Sequence, residues 1–251
     1  MDTNPVIAFR TFISQLGINA EQAVVSSQGG VLGIRAELEI SPEDFVQRAE
    51  DDFELGGSAA LLNSATNAKR AIRCQVNRIL SSVGYDPAAI KIKQKLDLIG
   101  QLGFLRPRLL RKVDAARNLL EHEYKCPTIE AVEETIELAA LFVEASSQAL
   151  KGFKSEFSIG NENDYLPGSH VSFHNELSFG FSDEKKEFQI RAYKGQRPDD
   201  TSGHESFIGR TLIRPSDAIF NCLIRLSIYG DSLWEGKKKQ ALADFFSQIQ
   251  K

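Results

Sequence analysis

Cysteine is scarce in this chain of 251 residues: Cys74, Cys126 and Cys222 are the only three, and no two of them share a short metal-binding or redox motif. That spacing argues against a disulfide framework and a thiolate zinc site, and it fits a reducing compartment. Nowhere do eighteen apolar residues run together, so no segment reads as a membrane-spanning helix. The start, Met1-Asp2-Thr3-Asn4-Pro5, has no basic region followed by an apolar core, so no secretory leader is read there. A cytoplasmic protein without a membrane partner is the expectation. Histidine is also sparse. His170 and His174 lie four apart on an expected strand, roughly 13 Å from each other, too far to share a metal. With His204 in a polar loop, no metal and no cofactor is expected. Lys237-Lys238-Lys239 follows Gly236 without a preceding strand or glycine-rich spacing, so it reads as a solvated helix start rather than a phosphate loop.

What the chain does have is the composition of an ordinary globular protein, 42% hydrophobic and 25% charged, with a net charge of -4 that is unevenly spread. From Lys69 to Lys125 there are thirteen Lys and Arg against five Asp and Glu. Acidic runs flank this stretch, Glu43 to Glu54 before it and Glu130 to Glu144 after it. Two readings stay open and are compatible: acidic helices packing beside a basic one, or a basic surface that binds a polyanion.

Ser41 is a good N-cap, Pro42 suits a first helical position, and Glu43 and Asp44 favour the positive end of the helix dipole, so a helix is predicted to start there and run to Gly56-Gly57. A second helix carries Leu61, Leu62, Ala65, Ala68, Ile72, Val76 and Leu80 at spacings of three and four, and ends by Gly84 and Pro87. A third block covers Ile90 to Gly100, and Pro107 opens an apolar stripe of Leu109, Leu110, Val113, Ala116, Leu119 and Leu120 that Pro127 must end. The fourth helix is expected from about Thr128 to Lys151. Four amphipathic helices with short connections make an antiparallel bundle.

Beyond Gly152 the pattern changes to short β-rich stretches at 171–173, 177–181 and 188–193, then a strand at 207–213 and two final helices, from Pro215 to about Tyr229 and from about Trp234 to Ile249. Near the start, a helix is expected at Val6 to Leu16 and a strand at Val31 to Ile40, the latter a candidate to pair with the C-terminal sheet. The fold class is thus α+β, mainly α, with 1–40 an extension, 41–152 a helical bundle and 153–251 a small α+β domain. Phe173, Phe179, Phe181 and Phe188 read most simply as core aromatics. Beside Arg191 and Lys194 they also admit an RNA-stacking sheet.

The compact chemical signal is Ala116-Arg117-Asn118-Leu119-Leu120-Glu121-His122-Glu123-Tyr124, which joins a permanent cation, an amide, a group titrating near neutrality and a phenol. On a straight helix Arg117 and Glu121 share a face, as do Asn118 and His122, but Arg117 and His122 point about 140° apart. A single copy is an awkward site for one phosphate. Either the helix loosens near His122, or two copies meet across a two-fold axis and share side chains.

An Arg followed by a polar residue and then by a His, late in a bundle's third helical stretch, resembles the signature of the HEPN superfamily. Arg117, Asn118 and His122 carry it, and Leu109 to Val113, Glu123-Tyr124 and Ala68 to Ile72 are similar to its surroundings. The resemblance covers about residues 41 to 152. It implies a HEPN-like bundle and metal-independent RNA cleavage by a homodimer, in which the ribose 2′-hydroxyl attacks the adjacent phosphate. His122 is then the general base or acid, Arg117 stabilises charge on the transition state, and Asn118 orients the phosphate or His122. Arg108, Arg111, Lys112 and Lys125 are the accompanying RNA-binding candidates. Arg117, His122 and Tyr124 also resemble the form found in HEPN toxins paired with a nucleotidyltransferase antitoxin, which implies Tyr124 as a modification site against the simpler reading of a packed helix-end Tyr. A toxin or defence effector is implied. The alternative is a non-catalytic HEPN-like module for nucleotide or RNA binding or for dimerisation.

Overall fold

In a computed structural model the first well-marked helix begins where local chemistry places it. Ser41 Oγ accepts from the Asp44 backbone N–H at 3.0 Å while Asp44 Oδ2 accepts from the Ser41 N–H at 2.8 Å, a reciprocal capping box, with Pro42 opening the helix. The structure describes residues 4–31, 39–104, 112, 128–168, 172–195, 206–229 and 235–250. The chain divides into two compact units, Ile34–Leu150 and Met1–Gly33 with Lys151–Lys251. Among the described residues no helix is long and apolar enough to cross a membrane.

In the first of these units, α2 (Pro42–Leu55) and α3 (Ser58–Ser82) form a hairpin across Gly56 and Gly57, both at positive φ, 68° and 82°, which only glycine adopts without strain. The helix before them in the chain, α1 (Pro5–Leu16), belongs to the other unit. Small residues line the hairpin: Ala65, Ala68 and Ala71 of α3 are buried, as is Ala49 of α2, so the two backbones approach closely. Ser64 Oγ donates to the Ala49 carbonyl at 2.6 Å, and Asn67 Nδ2 to Asp52 Oδ2 at 2.9 Å. Helix α4 (Ile92–Gln101) buries Leu96 and Ile99. Helix α5 (Ile129–Lys151) buries Val132, Ile136, Ala139, Phe142 and Val143 at helical spacing. One polar seam crosses this core. Gln75, fully buried, donates from Nε2 to Ser146 Oγ at 2.7 Å and Ser147 Oγ at 3.2 Å, and Ser147 Oγ donates to Glu43, which pairs with Arg78 at 3.0 Å.

The second unit is an antiparallel meander of β1 (Ala23–Val31), β2 (Lys154–Asn161), β3 (Asn175–Ser182), β4 (Glu187–Lys194) and β5 (Phe207–Ile213), in that spatial order. Its helices are α1, α6 (Phe220–Tyr229) and α7 (Glu235–Gln250). They share one sheet face, where aromatic rings fill the core: Phe157 and Phe179 stack at 4.6 Å and 4°, with Phe9 of α1, Phe220 of α6 and Phe245 of α7 around them. Gly209 permits the contact with α1, since a Cβ there would lie 2.9 Å from the Phe12 ring.

Some expectations need correction. The described N-terminal strand is Ala23–Val31, which pairs antiparallel with β2; the strand expected at Val31 to Ile40 lies for the most part outside the described residues, and Glu39 and Ile40 are not in a strand. Strand β2 went unread in the sequence, although Glu156-Phe157-Ser158-Ile159-Gly160 alternates with period two. Of the stretch expected at 171–173, Val171 lies outside the described residues and Ser172 and Phe173 form no strand; Phe173 makes an isolated bridge to Tyr165, and its ring covers Gly160, where a Cβ would meet it at 2.3 Å. The start of the first of the two final helices also moves, from Pro215 to Phe220, with Asp217 Oδ2 accepting from the Arg214 N–H at 2.7 Å to form the turn before it.

Candidate functional site

Arg117, Asn118, His122, Tyr124, Arg108, Arg111 and Lys125 lie outside the described residues, as do Cys126, His170 and His204. Of the proposed RNA contacts only Lys112 is described. It is helical and exposed, and its Nζ lies 4.0 Å from Glu134 Oε1 of α5, with both side chains more than two-thirds exposed, at 70% and 75%. Such a pair contributes at most about 1 kcal/mol and leaves the ammonium open to another anion.

The rest of the helical unit offers structure rather than reactive groups. Hydrogen bonds from the Ser41 backbone and hydroxyl hold the Asp44 carboxyl below its ordinary range. Burial pushes the Cys74 thiol up, partly offset by Arg78, and a raised thiol is a poor nucleophile. Gln75 Oε1 is buried without a hydrogen-bond partner among the described residues, a local cost beside its two satisfied donors. Thr128 Oγ1 accepts from the Ala131 N–H at 3.3 Å and so caps α5 directly after the stretch that holds the motif. Among the described residues no three His, Cys, Asp or Glu side chains come together as a metal site.

A second constellation lies on the sheet face away from α1, α6 and α7. Strand register places Ser26, Ser158, Ser178, Arg191 and Arg210 in one row across all five strands. Over β1 and β2 the row is covered: Ser172 Oγ donates to Ser26 Oγ at 3.1 Å, and the buried Glu176 carboxylate anchors the cover by accepting from the Ser172 and Phe173 N–H groups at 3.0 and 3.1 Å. Over β3 to β5 the face is open. Arg191 and Arg210 stand directly opposite each other on neighbouring strands, both exposed. Arg191 donates to Gln189 Oε1 at 2.7 Å, and neither guanidinium has an ion pair among the described residues. Next to them Tyr193 and Phe207 pair at 5.7 Å, with Phe207 45% exposed. On the other side of Arg191 a groove of about 370 Å³ is lined by Glu156, Ser178, Gly180, Ser182 and Gln189.

Phe173, Phe179, Phe181 and Phe188 are all buried, so the base-stacking reading of those four is wrong and the core reading stands. The sequence reading missed Tyr193, Phe207 and Arg210. An Arg and an aromatic two residues apart on β4, and again three apart on β5, were the available signal, but which sheet face they shared depended on register. A bulge between Ala192 and Tyr193 decides it. No family model, curated protein or solved structure matches this chain.

Proposed function

We propose that this protein is a metal-independent endoribonuclease of the HEPN kind, cutting RNA by attack of the ribose 2′-hydroxyl on the adjacent phosphate at a site shared by two copies of the chain. The observation that carries the reading is the motif Arg117-Asn118-x3-His122 within a segment of thirteen basic and five acidic residues. A His supplies a proton acceptor that works near neutrality, an Arg supplies a fixed charge for the developing dianion, and an amide orients one of the two. Attack by the neighbouring hydroxyl needs no metal-activated water, and it leaves a 2′,3′-cyclic phosphate and a 5′-hydroxyl. The antiparallel four-helix bundle over residues 41–152 belongs to the same proposal, as does a role as a toxin or defence effector. Tyr124, two residues beyond His122, is the proposed point of control: an adenylate added there by a nucleotidyltransferase partner sets an anion beside the catalytic pair.

Growth on induced expression tests this reading. The wild-type chain slows growth, and Arg117→Ala and His122→Ala each relieve it, with cleavage by the purified proteins falling about a hundredfold or more for loss of a general base. Equal behaviour of all three chains favours the non-catalytic binding module instead.

A further inference from the structure

The row of charges on β4 and β5 is costly unless something neutralises it, because like charges directly opposite on adjacent strands repel at about 5 Å between their Cβ atoms. No carboxylate pairs with Arg191 or Arg210 among the described residues, while the one nearby acid of β4, Glu187, is already taken by Arg214 at 3.2 Å. An anion from outside the chain fits that pair of forks. The neighbours on the same face say which kind of anion. Phe207 keeps nearly half its surface in water beside Tyr193, offering a π-face for a flat ring, and a groove the size of a small ligand site bears hydroxyl, amide and guanidinium groups from Ser178, Ser182, Gln189 and Arg191, together with the Glu156 carboxylate, an acceptor for the amino edge of a base rather than a phosphate contact. Alternating anionic groups and flat rings with polar edges describe a single nucleic acid strand; an acidic peptide has the charge without the rings.

We propose that the open face of β3 to β5 binds single-stranded RNA, with phosphates on Arg191 and Arg210, a base on Phe207, and a neighbouring base edge in the groove beside Gln189. A sheet with exposed aromatics and guanidinium groups binds single strands by stacking and phosphate contact. The choice of RNA over DNA rests on the ribonuclease reading; the surface itself does not.

The test uses the full chain carrying His122→Ala, so that the probe stays intact, and fluorescence anisotropy of a labelled oligouridine of roughly 12 nucleotides. Adding Phe207→Ala is expected to weaken binding by about 5- to 100-fold. The double change Arg191→Ala with Arg210→Ala is expected to weaken it and to lower the slope of log affinity against log salt by about 1.4, two phosphates at about 0.7 each. Arg191→Lys with Arg210→Lys keeps most of that slope. Arg191, Phe207 and Arg210 are exposed, and an unchanged melting curve shows each variant folded. Affinities within about twofold of the parent for both Phe207→Ala and the double Ala variant overturn the proposal. So does competition by polyglutamate that is as strong as competition by unlabelled RNA. Cleavage of a dinucleotide by the otherwise unchanged chain is scored separately. No cleavage, with binding that depends on Phe207, sinks the nuclease reading and keeps the surface. Cleavage that needs His122, with binding indifferent to Phe207, does the reverse.

Discussion

Phe179→Ala removes the ring on which the sheet unit turns. Phe179 is 1% exposed, lies flat on Phe157 at 4.6 Å, and touches Phe9 of α1 at 6.1 Å and Phe245 of α7 at 6.2 Å. Its neighbours come from the second strand, the first helix and the last, so the hole left by truncation cannot be filled by one local shift. Large-to-small changes of a buried Phe cost about 3 to 5 kcal/mol, and a cost near the upper end is expected here because the stacked and edge-on partners each add about 0.5 to 1.5 kcal/mol beyond burial. Against a total stability of about 5 to 15 kcal/mol, that is enough to leave the unit marginal. Urea titration followed by far-ultraviolet circular dichroism measures it, with the midpoint shifting and the slope of the sheet unit's transition unchanged. Phe207→Ala is the internal control: the same chemical deletion at a residue 45% exposed is expected to cost less than about 1 kcal/mol. Similar losses for the two variants, or a loss under about 1 kcal/mol for Phe179→Ala, refute the packing described for this core.

Two further perturbations probe closer contacts. Gly160→Ala drives a methyl into the Phe173 ring at 2.3 Å and is expected to cost about 1 to 3 kcal/mol in the same titration, whereas Gly180→Ala, with nothing within 4 Å of the added Cβ, is expected to be neutral. Ser41→Ala removes the cap of α2. The Asp44 carboxyl is held below its ordinary range by the backbone and hydroxyl bonds from Ser41, so its contribution is present above that range and is lost as pH falls through the lower folded pKa. The stability gap between wild type and Ser41→Ala is therefore expected at neutral pH and narrows once the pH is taken below the ordinary carboxylate range, as urea midpoints at the two conditions show. Because the backbone N–H of residue 41 still reaches the carboxylate in the variant, a gap that is the same at both refutes only the contribution of the Ser41 hydroxyl to holding it charged.

Local chemistry was the legible part of this fold. The start of α2 follows from three adjacent residues, Ser41, Pro42 and Asp44, and the buried stripe of α3 from apolar spacing that no distant contact disturbs. Strands β1 and β2 were hidden for the opposite reason. Ala23 pairs with Asn161 and Val31 with Lys154, partners more than a hundred residues away, and nothing near either strand announces the other. Glycines at the end of β1 obscured it further. The open face depended on register in the same way. Phe207 has the sequence parity of Gly209 and Ile213, whose side of β5 faces the core, and only the bulge before Tyr193 turns it to the other side. The motif Arg117-Asn118-x3-His122 is a pattern of residue types and spacing, and the sequence carries it unaided.

The account centres on that motif, and the ends of the cut RNA test it most directly. Purified wild-type protein, incubated with single-stranded RNA in EDTA, is expected to leave a 2′,3′-cyclic phosphate on one fragment and a 5′-hydroxyl on the other, with both lost in Arg117→Ala and His122→Ala. Cleavage that requires a divalent metal, or fragments bearing a 5′-phosphate, contradicts it.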